Sequence, residues 1–513
     1  MSNPTSKVSQ DSINAAAWKA CDTFRGAIDP TQYKDYILVM LFLKYISDTS
    51  KAHLDDLIKR YGDDKVRLTR ALERERFQLP QGASFSELHK ARNESDIGER
   101  INKALEAIEE KNRSKLEGVF RNIDFNSETL GKPSERNRRL KALLEDFNKP
   151  ELDLSPGRVN EDVIGECYIY LISQFASDAG KKAGEFYTPA VMSRLLAKLA
   201  APQKGHTIFD PTCGSGSLLL EASKVIKEQN AGSTDFALFG QEVNGATWAL
   251  ARMNMFLHGQ DSSVIKWCNT LTGPELLDSK GGLMQFDRVV ANPPFSLDKW
   301  GFEEAESDKF GRYTRGTPPE SRGDYAFISH IAATLKPGSG KAAIIVPHGV
   351  LFRGAVEGRI RQKLLEENLI DAVIGLPAGM FSSTGIPVAI LVIDRSREQG
   401  GANAKRKDVL FIDASRDYLE NKKQVTLSDA QEKRITDVYV SREAIEKYSH
   451  AATFNEIKEN EFNLNIPRYV DTFEAAEVVD IVAVQKEIDN LESELATLRV
   501  KMRNHLKELG LNV

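Results

Sequence analysis

The chain has 513 residues, of which 41% are hydrophobic and 28% are charged. This composition excludes a disordered or fibrous chain and supplies enough apolar material for about three globular domains. Lysine and arginine number 69 against 74 aspartate and glutamate, a formal net charge of −5. That balance excludes the strongly basic footprint of a stand-alone nucleic-acid-binding protein.

The first 150 residues show helical periodicity, with apolar side chains such as Trp18, Tyr33 and Leu41 spaced for one face of a helix. The longest apolar run, Ile37 to Leu43, is too short to span a bilayer and predicts a buried helix. The N-terminus is polar and resembles no signal peptide. We therefore expect a cytoplasmic protein without a membrane segment, beginning with a helical domain over residues 1–155.

The cysteines are scattered and show neither C-x-x-C spacing nor histidine partners at ligand spacing. We predict reduced thiols and no metal site. We also expect Cys213, which lies in the glycine turn described below, to be the thiol most open to alkylation. The cysteines are Cys21, Cys167, Cys213 and Cys268.

A short aromatic segment, G-E-F-Y-T-P at residues 184–189, precedes a predicted helix. Proline near the first turn of a helix is a common start signal. One interpretation is a loop that only anchors the helix. The other is a binding loop, an interpretation that depends on the family resemblance given below; its residues are Glu185, Phe186, Tyr187 and Thr188.

A strand, a glycine turn and a helix are predicted in succession, the first unit of a nucleotide-binding α/β sheet. The strand is T-I-F-D at residues 207–210, and the turn is P-T-C-G-S-G-S at residues 211–217. The two glycines permit positive φ and close approach of a ligand to the backbone. The pattern is neither G-x-G-x-x-G nor a P-loop. The candidate binding residues are Asp210, Thr212, Gly214, Ser215 and Gly216.

Two further strands end in polar residues. The segment F-A-L-F-G at residues 236–240 precedes Glu242, an acid placed at the end of the second strand to accept hydrogen bonds from ribose hydroxyls. The segment V-I-K-W at residues 264–267 precedes Asn269, whose amide can both donate to and accept from a base edge. A solvated glutamate at a strand end is the plainer alternative for Glu242.

An apolar run at residues 286–291 predicts a buried strand, and N-P-P-F follows it at residues 292–295. Two prolines stiffen the backbone and donate no N–H, so the neighbouring carbonyl remains free to accept. The Asn292 side chain adds a second acceptor beside the Pro293 carbonyl, and Phe295 adds a flat apolar face. Together they suit a planar aromatic amine. The alternative is a stiff turn with Phe295 as a plug.

Strands are predicted near residues 207, 236, 264, 286, 342, 370 and 388, alternating with helices, and the last two form an antiparallel hairpin. This pattern predicts a seven-stranded, Rossmann-like α/β sheet with helices on both faces. A polar loop at residues 301–323 follows the N-P-P-F turn and is a candidate lid or substrate-contact segment. We expect a catalytic domain over residues 156–400 and its extension over residues 401–472.

The C-terminal residues 473–513 carry apolar side chains at heptad spacing, which predicts a coiled-coil-like helix that needs another helix to cover its seam. That partner is either the chain's own N-terminal helices or a helix of another protein. The series that repeats every seven residues is Ile481, Ile488, Leu495, Met502 and Leu509, with Val484, Leu491 and Leu498 between them.

The segment before the first strand, the glycine turn and the N-P-P-F turn resemble motifs X, I and IV of the amino-group DNA methyltransferases, in that order. Over residues 10–470 the chain resembles the modification subunit of type I restriction–modification systems. Further stretches that carry the resemblance are residues 321–327, 346–352, 374–377, 381–387 and 463–469.

The resemblance implies an S-adenosylmethionine-dependent enzyme that methylates N6 of an adenine flipped out of double-stranded DNA, without a metal. It implies that Asp210 lies near the methionine amino group of the cofactor. It also implies that Phe186, Tyr187 and Thr188 line the methionine and carboxylate side, and that Glu185 is a further cofactor-binding residue. Asn269 would contact its adenine; many relatives carry Asp there.

The implied partners are a specificity subunit, bound through the C-terminal helix and the N-terminal domain, a second copy of this chain, and a restriction or translocase subunit. Two alternatives stay open. A protein-glutamine N-methyltransferase would use the same turn on a glutamine amide, and a non-catalytic scaffold subunit would keep the fold alone.

Overall fold

The computed structural model describes residues 8–62, 64–159, 161–179, 187–381, 385–420, 425–471 and 481–509. The chain divides into two compact units, Met1–Val470 and Asp471–Val513. In the described ranges, we find no helix with the length and apolarity needed to cross a membrane. 

The N-terminal part of the first unit is helical. Its helices are α1 (Gln10–Ala20), α2 (Pro30–Tyr61), α3 (Lys65–Leu72), α4 (Phe85–Lys90), α5 (Ile97–Lys111), α6 (Arg113–Leu116), α7 (Pro133–Phe147) and α8 (Glu161–Ala179). Short 3-10 turns lie at Cys21–Thr23, Glu128–Leu130 and Pro150–Leu152.

Helix α2 is the centre of this helical core. Asp29 caps it by accepting a 2.8 Å hydrogen bond from the Thr31 amide, and Pro30 occupies its first position. Every residue from Tyr36 to Ser47 is buried, so the apolar run forms the buried helix that its length predicts. Gly62, with φ of +55°, ends the helix.

A mixed sheet forms the rest of the first unit. Its strands are β1 (Thr207–Asp210), β2 (Ala237–Glu242), β3 (Val264–Trp267), β4 (Arg288–Ala291), β5 (Lys341–Pro347), β6 (Ile370–Gly375), β7 (Val388–Asp394), β8 (Val409–Asp413) and β11 (Ser449–Ala452). A separate two-stranded ribbon pairs β9 (Leu419–Glu420) with β10 (Val425–Thr426).

The helices of this part lie between and after the strands. They are α9 (Ala190–Ala200), α10 (Ser217–Gln229), α11 (Gly245–Leu257), α12 (Phe302–Ala305), α13 (Asp324–Thr334), α14 (Gly349–Phe352), α15 (Ala355–Glu366), α16 (Asp429–Ser441) and α17 (Phe454–Glu459), with 3-10 turns at Arg395–Arg397 and Ile466–Arg468.

The strand order is β11-β8-β6-β7-β5-β4-β1-β2-β3. β7 runs antiparallel to both β5 and β6, as the predicted hairpin requires, while β1 to β5 are parallel. All residues of β6 and β7 are buried, which explains their unbroken apolar sequences. Two apolar layers cover the two faces of the sheet.

The prediction of seven strands is wrong in number, because nine strands pair within the described residues. The hairpin does not end the sheet: β8 adds parallel to β6, and β11 adds antiparallel to β8. β8 is a buried apolar run, V-L-F-I, that follows a polar segment. Its place between β6 and the edge strand β11 is set by pairing with β6, which local sequence does not reveal.

Helix α11 belongs to both cores of the first unit. Leu250, Met253 and Phe256 pack into the helical core, whereas Ala251 and Met255 pack into the layer over the sheet. Opposite faces of a helix at 3.6-residue periodicity produce this division. The helical part and the sheet are therefore joined by a shared helix.

The second unit is described from helix α18 (Ile481–Glu508). Its seam side chains from Val484 to Leu509 are exposed, with exposed fractions between 43% for Val484 and 75% for Leu509. The predicted helix is present, whereas a coiled-coil pairing stays a prediction.

Candidate active site

The candidate site lies where the strand order reverses. β1 pairs with β2 on one side and with β4 on the other, with Phe209 opposite Val289 in β4. The chain proceeds from β1 toward one edge and from β4 toward the other, which makes the gap between them a topological switch point. The glycine turn leaves the carboxyl end of β1, and the N-P-P-F turn leaves the carboxyl end of the adjacent β4.

The glycine turn is held closely by backbone bonds. The Cys213 amide donates to Gln241 O at 2.9 Å, and the Gly216 amide donates to Cys213 O at 2.7 Å. Gly214 and Gly216 have φ of +54° and +80°, in the left-handed region that glycine alone occupies at low cost. The turn therefore needs both glycines to take this form.

Asp210 ends β1 fully buried at the base of this turn. Its Oδ1 accepts a 2.9 Å hydrogen bond from the Thr212 amide. Neither Asp210 Oδ2 nor Thr212 Oγ1 has a hydrogen-bond partner in the described part of the chain. Burial raises the pKa of the Asp210 carboxyl to about 8, opposed by the Thr212 amide and reinforced by the nearby Glu242 charge. A buried acid with an unused oxygen suits a cationic ligand group.

Glu242 ends β2 beside the turn and is 7% exposed. Its Oε2 accepts from the Gly214 amide at 3.0 Å, and its Oε1 accepts from the Asn244 amide at 2.8 Å. The carboxylate thus ties the glycine turn to the loop after β2. Each carboxylate oxygen accepts more than one hydrogen bond, so ribose hydroxyls remain a compatible partner.

Asn269 is exposed after β3, and its Oδ1 accepts from the amides of Leu271 and Thr272 at 2.9 and 3.2 Å. An aspartate would make the same two bonds, which explains why either residue suits this loop. The loop side of the Asn269 amide is occupied, so its NH2 is the group left for a base edge.

The loop before α9 reaches the N-P-P-F turn directly. Asn292 Nδ2 donates a 3.0 Å hydrogen bond to the hydroxyl of Thr188, a side chain that is 6% exposed. This bond leaves the Asn292 carbonyl oxygen as the acceptor on the other side of the amide. Tyr187 is partly buried and packs against the helical core. Glu185 and Phe186 lie outside the described residues.

Phe295 is partly buried, and its ring meets that of Phe381 edge-on, with centroids 6.3 Å apart. Pro293 is buried, while Pro294 is exposed. The two rings are nearly perpendicular, with an interplanar angle of 84°. Phe295 packs against the apolar layer over the sheet without being fully buried, so both interpretations of this side chain stay open.

The polar loop after the N-P-P-F turn is anchored internally. Arg312 is 4% exposed, pairs with Asp308 at 2.7 Å, and donates to the carbonyls of Thr270 and Leu271 at 3.1 and 2.8 Å. The loop is therefore fastened to the segment after β3. This anchoring argues against residues 301–323 as a fully mobile lid.

Several positioning residues escape sequence analysis. Asn254 of α11 donates to Ser215 O at 2.8 Å, and Gln241 donates to the Thr270 hydroxyl at 2.9 Å. Their partners lie 39 and 29 residues away in sequence, so no local pattern announces them. The expectation that Cys213 is open to alkylation is wrong: the side chain is 4% exposed, and burial raises the pKa of its thiol well above the usual value.

Residues 159–478, more than half of the chain, match the family model of N-6 DNA methylases. The chain belongs to this family. Residues 13–147 match a second model, the HsdM N-terminal domain. The predicted resemblance to type I modification subunits is confirmed, and with it the function of an adenine-N6 DNA methyltransferase subunit.

The similarity to individual methylases extends over nearly the whole chain. The MpnII methylase subunit of Mycoplasma pneumoniae is 29% identical over 98% of this chain and 96% of that protein. The MjaVIII methylase subunit of Methanocaldococcus jannaschii is 30% identical over 98% of this chain and 86% of that protein.

Solved structures agree with the fold. A type I methyltransferase subunit from Streptococcus thermophilus superposes with a TM-score of 0.80 at 35% identity, covering 91% of this chain and all of that one. A modification subunit from Vibrio vulnificus gives 0.58 at 20% identity, covering 92% and 99% of the two chains, and supports the fold alone.

Proposed function

We propose that the glycine turn binds S-adenosylmethionine and that the N-P-P-F turn holds an adenine extruded from duplex DNA. The observation that carries the proposal is that the two turns leave adjacent parallel strands, β1 and β4, at the switch point of the sheet. Ligands of open α/β sheets bind at that place. Extrusion is required because the target amine cannot be reached inside a duplex.

The cofactor side uses residues that already fit a cationic amino acid and a ribose. The buried Oδ2 of Asp210 and the hydroxyl of Thr212 lack partners within the described chain. Asp210 would accept a hydrogen bond from the methionine part of the cofactor, and Thr212 would donate one to it. Glu242 would accept from the ribose hydroxyls, while Gly214, Ser215 and Gly216 leave room for close approach. When bound, S-adenosylmethionine supplies an electrophilic methyl group.

The remaining contacts to the cofactor stay predictions. Asn269 would donate to the adenine edge through its NH2 group. Thr188 and Tyr187, with Glu185 and Phe186, would border the methionine side.

The base side raises the reactivity of a poor nucleophile. The lone pair of an exocyclic amine is delocalised into the ring. Asn292 Oδ1 and the Pro293 carbonyl would accept from the two amine hydrogens and so localise that lone pair on nitrogen. Thr188, by accepting from Asn292 Nδ2, keeps the amide oxygen turned away from itself. Phe295 would stack on the extruded ring, and catalysis then rests on positioning and preorganised dipoles.

The test is methyl transfer by the complex formed when this chain is co-expressed with its neighbouring genes. Tritiated S-adenosylmethionine is offered with DNA and, separately, with a ribosomal release-factor protein. We expect label in DNA only, at N6 of adenine when the methylated bases are sequenced. Label in the protein instead would favour a glutamine methyltransferase, and label in neither would favour a scaffold subunit.

Cofactor binding is predicted to release a proton near pH 6.5. The pKa of Asp210 is about 8 in the ligand-free protein, so its carboxyl is mostly protonated there. A bound ammonium group favours the carboxylate. Isothermal titration in two buffers of different ionisation enthalpy should report release of nearly one proton, and none for Asp210→Asn. Equal proton release by the variant and the wild type would contradict this role.

The same pKa gives the sign of a stability effect. An unfolded aspartate has a pKa of about 3.9, so the folded, ligand-free protein holds one more proton between that value and 8. Folding stability from this group is therefore full below about pH 4 and is lost as pH rises toward 8. Thermal unfolding of wild type and Asp210→Asn across this range measures it.

Part of the DNA affinity would come from partner subunits. The formal net charge is −5, and several basic residues are engaged inside the chain. Arg315 pairs with Glu367 at 2.5 Å, and Arg136 donates to Asn126 O at 2.6 Å. We assign sequence recognition to a specificity subunit, with a second copy of this chain and a restriction or translocase subunit as further partners.

We assign the exposed seam of α18 as a binding surface for a helix of the specificity subunit. The N-terminal domain is assigned as a further binding surface for the same subunit. Leu491 and Leu498 lie on the seam and are 58% and 60% exposed. Glutamates at both positions should abolish co-purification of the specificity subunit, because charges are excluded from such a seam. The matched control carries glutamates at Ser493 and Val500, which share one heptad position on the opposite face of the helix. This control should leave the complex intact. Equal behaviour of the two double variants would refute the assignment.

A further inference from the structure

The residue after the aromatic of the catalytic turn is fastened from outside the turn. Ser296 has φ of +50°, a left-handed conformation that non-glycine residues seldom adopt. Its amide donates a 2.8 Å hydrogen bond to Asp324 Oδ1, and its hydroxyl lies 3.5 Å from Asp324 Oδ2. Pro293 and Pro294 donate no backbone bond, so the bond from Ser296, two residues after the second proline, is well placed to fix the turn.

Asp324 is a buried carboxylate, 4% exposed, at the first residue of α13. The N-terminus of a helix favours a negative charge there. Arg353 Nη1 lies 2.8 Å from Asp324 Oδ2 and 3.2 Å from Glu357 Oε1, and its Nη2 lies 3.4 Å from Ser296 Oγ. One guanidinium therefore orients the carboxylate that holds Ser296.

The surrounding chain is shaped for this contact. The Gly323 amide donates to Leu297 O at 2.8 Å, so a second bond lies beside that of Ser296. A Cβ on Gly349 would lie 2.4 Å from Arg353 Nε, so the guanidinium could not keep its present position beside a larger residue. Asp324 and Gly349 belong to segments that the resemblance marks but to which no role has been given.

We infer that Asp324, oriented by Arg353, is a positioning residue for methyl transfer. Through the Ser296 amide it sets where Phe295 and the Pro293 carbonyl stand relative to the target base. The inference rests on the proposed function, since it presupposes that the turn receives a base. Asp324 touches the turn and not the reacting atoms, so it acts on the rate through placement.

An ordinary structural ion pair is the competing explanation, and it makes a different prediction. Loss of such a pair lowers the unfolding temperature and the folded fraction, but leaves the transfer rate of each folded molecule unchanged. Loss of a positioning contact lowers the rate of each folded molecule at saturating substrates. Single-turnover kinetics, normalised to active sites counted by cofactor titration, separate the two.

The variants are Asp324→Asn, which keeps an oxygen for Ser296 but removes the charge that orients Arg353, and Asp324→Ala, which removes both. Both are assayed in the co-expressed complex on DNA carrying its methylated sequence. Displacing a reacting group by about 1 Å costs roughly a hundredfold in rate. We expect the rate to fall about tenfold for Asn and about a hundredfold for Ala, with cofactor Kd unchanged. Where Asp324→Ala does not fold, Asp324→Asn decides alone.

The matched control is Asp371→Asn. Asp371 is also buried, 1% exposed, and pairs with Arg397 and Arg442 at 2.5 and 3.0 Å. It lies at the amino end of β6, away from the turn. This variant should lower the unfolding temperature without changing the normalised rate.

Normalised rates for the Asp324 variants equal to wild type would overturn the inference. Wild-type complex that transfers no methyl group to DNA would overturn the proposed function instead, so the two failures are distinguishable.

Discussion

Asn292→Ala is expected to lower methyl transfer by about a hundredfold or more while leaving cofactor affinity within the error of the measurement. Removal of one preorganised group that stabilises a developing charge typically costs about 10² to 10³ in rate. The side chain that would accept from the target amine is lost, and the Thr188 hydroxyl loses the amide that it orients. Single-turnover transfer gives the rate, and isothermal titration gives the cofactor affinity.

Asn230→Ala is the matched control for that substitution. Asn230 follows α10, and its Nδ2 donates to Ile226 O at 2.9 Å. This helix end lies toward the amino ends of the parallel strands, opposite the two turns. The same side chain is removed, but no effect on transfer is expected. Near-normal transfer by the Asn292→Ala complex would contradict the role given to Asn292, and a parallel loss in Asn230→Ala would indicate a general folding defect.

Gly214→Val is expected to weaken cofactor binding by about a hundredfold or more. A left-handed φ costs an ordinary L-residue about 1–2 kcal/mol, and a β-branched residue more. Relaxing the backbone to avoid that cost would break the bond from the Gly214 amide to Glu242, and bonds to charged groups contribute about 1.5–3 kcal/mol. Each 1.4 kcal/mol is about tenfold in Kd. Isothermal titration with S-adenosylmethionine measures the loss.

Gly205→Val separates backbone strain from the loss of the site. Gly205 also has positive φ, +82°, and a Cβ there would meet no atom within 4 Å. It precedes β1, so it lies at the far end of the strand from the glycine turn. This variant should be less stable yet bind the cofactor normally. Normal cofactor affinity in Gly214→Val would remove the basis for assigning the turn.

The parallel core of the sheet could be predicted because its strands are buried on both faces and read as unbroken apolar runs. β8 and β11 could not, because both add beyond the predicted hairpin by pairing with strands that are distant in sequence. β8 pairs with β6 across Leu410 and Ala372. The helical character of the N-terminal region could be predicted from its apolar periodicity alone, and the buried helix α2 confirms that prediction.

The candidate site divides in the same way. Asn292 and Gly214 stand out because their chemistry is local to a short motif. Asp324 and Arg353 hold that motif through bonds that span 28 and 29 residues, so their roles depend on the folded chain. Arg312 is buried against Asp308, although its segment is marked by the sequence only as a polar loop.

Sharing helix α11 between two cores has a consequence for truncation. A recombinant fragment beginning at residue 187 would keep the sheet but strip the cover from Leu250, Met253 and Phe256. Such a fragment would expose a contiguous apolar surface on α11 and would be prone to aggregation. The same helix holds Ser215 O through Asn254, so its loosening would reach the glycine turn after β1. The N-terminal helices are thus needed for the stability of the sheet-containing part of the chain and do not form an independent domain.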